Sequence, residues 1–190
     1  MPNIVVIAGP NGAGKSTTAP VLLKETFATT EFVNADVIAQ GLSGFAPESV
    51  ALEAGRVMLQ RLKHLASERK SFAFETTLAS RSFAPWIRKE KGKDYRFILI
   101  FLHLNSPDVA IQRVKERVVL GGHDVPEDVI RRRYKAGLRN FFEMYAPIAD
   151  AWKFYDNSAY AAPELIAEHT PERGLTIYKE ELWLTLQKQK

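Results

Sequence analysis

A glycine-rich segment close to the start of the chain constrains the fold more than any other feature. Residues 9–16 read Gly-Pro-Asn-Gly-Ala-Gly-Lys-Ser and match the pattern G-x-x-x-x-G-K-[ST]. An apolar run, residues 4–8, precedes the segment, and a stretch that can be helical follows it as far as about Phe27. A strand before this pattern and a helix after it are the context in which it forms a phosphate-binding loop, or P-loop.

The residue types in this loop suit a nucleoside triphosphate. Glycines let the backbone turn tightly and approach phosphate oxygens, and the N–H groups at a helix start attract anions. The Lys15 ammonium can reach the β- and γ-phosphates, while the Ser16 hydroxyl is a hard oxygen ligand that suits Mg²⁺. We therefore predict a magnesium site at Ser16 and a nucleotide site formed by Gly9, Pro10, Asn11, Gly12, Ala13, Gly14, Lys15, Ser16 and Thr17.

Composition indicates an ordinary globular protein. The 190 residues are 46% hydrophobic and 25% charged, so we expect one domain over residues 1–190 with a substantial core. Cysteine is absent, which excludes disulfides and a thiol nucleophile. No apolar run approaches the roughly 20 residues that a membrane-spanning helix needs, and the N-terminus lacks the pattern of a signal peptide, so we expect a cytoplasmic protein with no membrane partner.

The net charge of +4 is compatible with a nucleic-acid partner. The arginines, however, concentrate in residues 113–117 and 131–139 instead of forming a long stripe. This distribution favours a local clamp for a small anion, so we do not expect nucleic acid as a partner.

Apolar segments alternate with amphipathic stretches along the chain. The predicted strands are residues 4–8, 31–36, 71–76, 96–104 and 152–156, and helical patterns separate them. After residue 163 we expect a further helix and then a short strand and helix. The alternation predicts an α/β fold of the three-layer P-loop NTPase type, with a parallel five-stranded sheet, helices on both faces and a small lid.

Four of these strands end in polar residues or lead directly into them. The polar positions are Gly9 onward, Asp36, Glu75 and Asn157, and ligands of such folds bind at the carboxyl ends of the parallel strands. We expect the strand that ends in Asp36 to lie beside the P-loop strand, with Asn34 on the same face. This convergence of polar side chains indicates an enzyme.

Asp36 is the candidate general base, since a carboxylate here can accept the proton of a hydroxyl that attacks the γ-phosphate. The alternative is a carboxylate that only ends the strand or caps the next helix. Glu75 either holds Mg²⁺ through water or binds the acceptor, and the sequence leaves both open. Thr77 and Arg81 are further candidates for substrate hydrogen bonds, and Asn157 either lines the adenine pocket of the nucleotide site or simply ends its strand.

Two predicted helices, joined by a loop with two glycines, form a candidate lid over about residues 117–133. Arginines on both helices can neutralise charge on the phosphates as the lid closes, and the alternative is a solvated charged face. The candidates, with the first two preferred, are Arg117, Arg133, Arg113 and Arg132. His123, beside the two glycines, either contacts a phosphate of the substrate or stabilises the loop.

The motifs together resemble the zeta-toxin family of P-loop kinases over about residues 3–160. The resemblance rests on the P-loop and on four further segments in the family's order: Val33-Asn34-Ala35-Asp36, Phe74-Glu75-Thr76-Thr77-Leu78, Gly121-Gly122-His123-Asp124-Val125-Pro126 and Tyr155-Asp156-Asn157-Ser158. It implies ATP- and Mg²⁺-dependent phosphorylation of UDP-N-acetylglucosamine, and an antitoxin partner that blocks the nucleotide site.

The resemblance also implies roles for single residues. By this resemblance Lys15 is the phosphate-binding lysine and Asp36 the base. Glu75 and Thr77 are contacts to the sugar nucleotide, and an arginine near Arg117 belongs to the lid. The chain departs from the family in two ways. His123 stands shortly before Pro126, where a second lid arginine is expected, and the chain lacks the larger substrate-side insertions of the best-known toxins of the family.

Two other functions fit the motifs less well. A nucleotide switch would bind ATP without transferring phosphate, but it needs neither an acceptor base such as Asp36 nor a closing arginine clamp. A kinase of nucleic-acid 5′ ends would need a basic channel beyond the lid, and its activity would depend strongly on salt.

Overall fold

The computed structural model describes residues 1–27, 31–159 and 161–189. The strands are β1 (Asn3–Ala8), β2 (Phe32–Val33), β3 (Phe72–Thr76), β4 (Arg96–His103), β5 (Ala151–Asp156), β6 (Glu164–Thr170) and β7 (Gly174–Ile177). The helices are α1 (Lys15–Phe27), α2 (Ala35–Leu42), α3 (Ala51–Ser67), α4 (Phe83–Lys91), α5 (Pro107–Val119), α6 (Glu127–Asn140) and α7 (Glu180–Lys188). Short 3-10 turns cover Pro47–Val50 and Ala146–Ile148, and a π-helical segment, Phe141–Tyr145, continues α6. Over the described residues, no helix has the length and apolar character needed to cross a membrane.

Within the described residues, seven strands form one sheet in the order β2-β3-β1-β4-β5-β6-β7. The first five are parallel, which confirms the predicted α/β fold and its five parallel strands. β6 and β7 are antiparallel and extend the sheet beyond β5. The prediction of a helix directly after residue 163 is therefore wrong, because pairing with β5 buries Ile166 and Ala167 and decides the structure of that segment.

The segment around Asp36 also differs from the prediction. β2 contains only Phe32 and Val33, and it pairs with β3, so this strand does not lie beside the P-loop strand. Asn34 ends the strand because its Oδ1 caps α2, accepting hydrogen bonds from the N–H of Asp36 at 2.8 Å and of Val37 at 3.4 Å. Asp36 consequently lies in the first turn of α2, and the two side chains do not share a strand face.

The central strands are buried between two layers of helices. On one face α3, α4 and α7 pack around side chains such as Phe72, and on the other α1 and α5 pack around side chains such as Ile98. α6 belongs to both layers, since Tyr134 lies in the second core and Leu138 in the first. The Tyr134 hydroxyl donates to the carbonyl oxygen of Leu104, just after β4. α6 therefore crosses the edge of the sheet at which the parallel strands end.

Candidate active site

The P-loop surrounds a buried lysine at the carboxyl end of β1. Its three glycines have positive φ angles, 143°, 76° and 77°, a region in which a residue with a Cβ is strained. A Cβ at Gly9 would lie 2.2 Å from the carbonyl oxygen of Leu102, so the loop passes this close to β4 only because Gly9 has no side chain. Lys15 opens α1, and its Nζ donates to the carbonyl oxygen of Pro10 at 2.9 Å.

Charged groups from three other elements surround Lys15. Burial lowers the pKa of its ammonium group, and the carboxylates of Glu75 and Asp36 oppose that shift. The Arg117 guanidinium adds to the lowering of the lysine pKa. The P-loop lysine therefore lies where two carboxylates and an arginine of the predicted site converge.

Glu75, at the end of β3, connects the P-loop to the start of α2. Its Oε1 lies 3.6 Å from Lys15 Nζ, and its Oε2 accepts hydrogen bonds from Ser16 Oγ at 2.7 Å and from Asn34 Nδ2 at 2.9 Å. Asn34 thus caps α2 with its oxygen and holds Glu75 with its nitrogen. Neither role was predicted. The capping role has a signal in the sequence, since Asn34 stands directly before a helical segment with an acid in its first turn, a typical N-cap position.

The Ser16 hydroxyl and the Glu75 carboxylate place two hard oxygen donors in direct contact. Kinases hold Mg²⁺ through one or two protein oxygens together with the phosphates of the nucleotide, and water fills the remaining positions. These two donors, next to a loop built for phosphates, fit Mg²⁺ that binds with a nucleotide.

A cleft of about 290 Å³ brings most of the predicted catalytic and acceptor-binding residues together. The predicted residues on its wall are Asn11, Gly12, Lys15, Asp36, Glu75, Thr77, Arg117 and Arg133. The wall also includes Ala79 and Ser80, from the connection between β3 and α4, and Phe83, the first residue of α4, and none of the three was predicted. They are small or apolar, so no pattern of chemical groups in the sequence singles them out.

The two preferred lid arginines reach the cleft from different helices. Arg117 lies in the last turn of α5, and its Nη2 donates to the carbonyl oxygen of His123. Arg133 lies half-buried on α6, where burial lowers the pKa of its guanidinium and the nearby Asp36 carboxylate raises it. Because arginine keeps its charge under physiological conditions, each helix brings one positive charge to the cleft.

Arg81, His123 and Arg132 lie away from both this cleft and the pocket beside the P-loop described next. Arg81 is exposed, with its Nε 3.2 Å from Met144 Sδ. His123 lies in a neighbouring groove, with its Nδ1 3.9 Å from the carboxylate of Glu48. Arg132, one of the two reserve arginines, is exposed on α6. Substrate contacts by Arg81 and His123 stay predictions.

A second pocket, of about 420 Å³, shares Gly12 with the cleft and follows the loop after β5. Its walls are Gly12, Gly14, Thr17, Thr18, Arg113, Asn157, Ala159, Ala161 and Pro163. Asn157 Nδ2 donates to the carbonyl oxygen of Ala13 at 2.9 Å, which ties this loop to the P-loop. The Arg113 guanidinium donates to the carbonyl oxygens of residues 157–159 at 2.7, 2.9 and 3.1 Å. Arg113, the other reserve arginine, therefore stabilises the loop after β5, beside the P-loop.

Comparison with known proteins decides the family. A family model described as zeta toxin matches residues 1–158, most of the chain. The chain belongs to the zeta toxin family. The match confirms the resemblance found in the motifs, and β6, β7 and α7 follow the matched region. An uncharacterized protein of Haemophilus influenzae is 26% identical to this family member over 130 residues, which are 68% of this chain and 91% of that protein.

Solved structures share the fold of this zeta toxin family member. A chain of the AvrRxo1-ORF1:-ORF2 structure with ATP matches with a TM-score of 0.81 and 17% identity. The match covers 100% of the present chain and 64% of the AvrRxo1 chain. The PezAT chromosomal toxin–antitoxin system of Streptococcus pneumoniae matches with a TM-score of 0.65 and 16% identity, over 100% of this chain and 86% of the other. This chain thus spans slightly less than two thirds of the AvrRxo1 relative. At these identities the likeness shows the fold, that of P-loop kinases.

Proposed function

We propose that the protein is an ATP- and Mg²⁺-dependent kinase that transfers the γ-phosphoryl group to a hydroxyl of a small molecule. The zeta toxin family and the kinase-like fold support a P-loop kinase or phosphotransferase. The observation that carries the finer proposal is the cleft, in which an exposed carboxylate, Asp36, shares the wall with Lys15 and two lid arginines.

The P-loop and the second pocket would hold the nucleotide. The phosphates would lie against residues 9–16 at the start of α1, whose first turn contains no acidic residue to oppose them. The base would lie in the pocket beside Asn157. On phosphate binding, Lys15 would exchange its hydrogen bond to the Pro10 carbonyl for one to a phosphate oxygen.

Ser16 and Glu75 are the residues that would hold Mg²⁺, with Glu75 acting directly or through water. Held there with the nucleotide, Mg²⁺ would supply positive charge that offsets the negative charge on the phosphates. The hydrogen bond between Ser16 and Glu75 supports the metal role of this glutamate over the acceptor role, which the sequence left open.

Asp36 would act on the acceptor. As the acceptor oxygen bonds to the γ-phosphorus and the bond between that phosphorus and the ADP oxygen breaks, the hydroxyl proton passes to the Asp36 carboxylate. The positive charges of Arg117 and Arg133 neutralise charge on the transferring group without supplying a proton. A positioned general base contributes on the order of 10²–10⁴-fold to such a rate.

The acceptor that we propose is UDP-N-acetylglucosamine, since that substrate is implied by the resemblance to the family. Thr77 lies on the wall of the cleft and would contact it. A protein partner of the antitoxin kind is proposed on related grounds, because PezAT is a toxin–antitoxin system and the AvrRxo1 structure is a complex of two components. A cytoplasmic location belongs to the same set of proposals.

The test is ADP release from ATP and Mg²⁺, with and without UDP-N-acetylglucosamine, in wild type, Asp36→Asn and Asp128→Asn. Asp128 is the matched control because both aspartates are the second residue of a helix, and Asp128 is exposed outside the cleft. We expect acceptor-stimulated release in wild type and Asp128→Asn. Asp36→Asn should lower it about 10²–10⁴-fold while ATP affinity, measured by calorimetry, changes less than about twofold.

Two results would count against the proposal. Equal rates in Asp36→Asn and wild type would remove Asp36 as the base. ATP binding without acceptor-dependent release, over a panel of hydroxyl compounds that includes nucleic-acid 5′ ends, would favour a nucleotide switch.

A further inference from the structure

The loop of residues 77–80, called the acceptor loop below, joins β3 to α4 and forms part of the cleft wall. Its backbone includes Leu78, which is fully buried and has a φ angle of 60°. This left-handed conformation is strained for a residue with a side chain. The shape of the acceptor loop must therefore be held by contacts with the rest of the protein.

α6 and its π-helical continuation supply these contacts. The Asn140 amide donates from Nδ2 to the carbonyl oxygens of residues 78–79, at 2.9 and 3.1 Å. The Tyr145 hydroxyl donates to the carbonyl oxygen of Ser80 at 2.6 Å. Asn140 is 2% exposed and Leu78 is fully buried, so loss of the Asn140 amide would leave a buried carbonyl group without its partner. Loss of the Tyr145 hydroxyl would release the Ser80 carbonyl group from the helical segment.

The first carbonyl group of the acceptor loop also meets α6. A Cβ at Gly137 would lie 2.4 Å from the carbonyl oxygen of Thr77, so the helix approaches the loop more closely than any residue with a side chain would permit. Four successive carbonyl groups, those of residues 77–80, thus contact one continuous helical segment.

The π-helical segment explains how two residues five apart reach the same loop. In a regular α-helix Asn140 and Tyr145 would point roughly 140° apart. The wider turn over Phe141–Tyr145 reduces this angle, and such segments are frequent at functional sites. One turn before Gly137, on the same face of α6, lies Arg133, which reaches the cleft.

We propose that Asn140 and Tyr145 are positioning residues for the acceptor, and that α6 couples the acceptor loop to the phosphate-binding Arg133. Movement of α6 as Arg133 meets the γ-phosphate carries the loop contacts with it, so the loop takes its acceptor-binding shape when nucleotide is present. The coupling rests on the proposed nucleotide site, and its kinetic test also rests on the proposed acceptor.

Tyr145→Phe and Tyr134→Phe form a matched pair for the test. Both tyrosines are buried in α6 or its continuation, and both hydroxyls donate to a backbone carbonyl at 2.6 Å. Burial raises the pKa of each to about 12. They differ in their partners, since Tyr134 bonds to Leu104 outside the cleft wall and Tyr145 bonds to the acceptor loop. The Tyr145 hydroxyl also interacts with the backbone of Phe83 and Ala84, at the start of α4 directly after that loop.

The first arm measures steady-state kinetics with UDP-N-acetylglucosamine as the acceptor. Tyr145→Phe should lower kcat/KM for the acceptor about tenfold, the effect of losing the hydrogen bond that holds the Ser80 carbonyl, and leave KM for ATP within about twofold. Tyr134→Phe should leave kcat/KM for the acceptor and KM for ATP within about twofold of wild type. Equal effects of the two variants, or equal effects on both substrates, would overturn the positioning role.

The second arm needs no acceptor and so separates this proposal from the proposed function. Hydrogen–deuterium exchange of peptides covering residues 77–83 is compared with and without a non-hydrolysable ATP analogue and Mg²⁺. The analogue should slow exchange in wild type and Tyr134→Phe at least threefold more than in Tyr145→Phe. The same slowing in all three, or none in wild type, would overturn the coupling. Absence of phosphoryl transfer in wild type would overturn the proposed function while this arm still decides the role of Tyr145.

Discussion

Replacement of Gly137 by alanine tests the contact between α6 and the acceptor loop. A Cβ at this position would lie 2.4 Å from the Thr77 carbonyl oxygen, whereas ordinary contact begins at 3.4 Å. About 1 Å of overlap must therefore be absorbed. The carbonyl oxygen belongs to the main chain, and the position of a Cβ is fixed by the main chain. Rotation of a side chain therefore cannot relieve the overlap, and either the helix or the loop has to move.

The change in the free energy of unfolding that Gly137→Ala causes is the sum of two opposing effects. Alanine is favoured over glycine in a helix interior by about 1 kcal/mol, while overpacking of a tight contact costs about 1–3 kcal/mol. We expect Gly137→Ala to lower the free energy of unfolding by about 1 kcal/mol. Gly55, inside α3, is the matched control because nothing lies within 4 Å of a Cβ there. Gly55→Ala should raise the free energy of unfolding by about 1 kcal/mol.

Urea unfolding of both variants measures this difference, and acceptor kinetics measure its consequence at the site. Opposite signs for the two substitutions, with a raised KM for the acceptor only in Gly137→Ala, would support the contact. If Gly137→Ala stabilised the protein as much as Gly55→Ala and left the KM unchanged, the close approach of α6 to the acceptor loop would be refuted.

Two further predictions concern a buried histidine and the loop after β5. Burial among aromatic rings lowers the pKa of His103 to about 4, so the free energy of unfolding should be unaffected above pH 6.5 and fall by about 3 kcal/mol as the pH drops from 6.5 to 4. His103→Phe should lack this part of the pH dependence in urea unfolding, and parallel curves for the two proteins would contradict the burial argument. Arg113→Ala should weaken ATP binding about tenfold in calorimetry, because the carbonyl groups of residues 157–159 lose three hydrogen bonds. Arg132→Ala, an exposed change, should leave the affinity within about twofold, and equal affinities for the two variants would refute the supporting role of Arg113.

Local requirements made the P-loop and the central sheet predictable. The glycines at the P-loop occupy backbone conformations that other residues adopt only with strain, and the fully apolar runs of β1 and β4 need a sheet covered on both faces. Gly137 lies inside a helix, where glycine is disfavoured unless close packing requires it, and the structure places it against the Thr77 carbonyl. In these cases the residue type alone restricts the backbone conformation or the burial that the position can have.

Contacts between distant segments were not predictable in the same way. Asn34 bonds to Glu75 and Asn140 bonds to the acceptor loop, and in both cases the partner is set by the tertiary path of the chain. A buried amide must find partners, but its spacing in the sequence does not say which ones. Strand β6 was missed for a related reason, since pairing with β5 overrides a weak local preference. The short strand and helix expected after it correspond to β7 and α7.

Phosphoryl transfer to a hydroxyl is the central claim, and the fate of the γ-phosphate tests it most directly. ATP labelled in the γ-phosphate is incubated with the protein, Mg²⁺ and UDP-N-acetylglucosamine, and the labelled products are separated. The proposed mechanism predicts label in the acceptor with wild type and about 10²–10⁴-fold slower labelling with Asp36→Asn. Label in inorganic phosphate alone, formed at the same rate by both proteins, would contradict it.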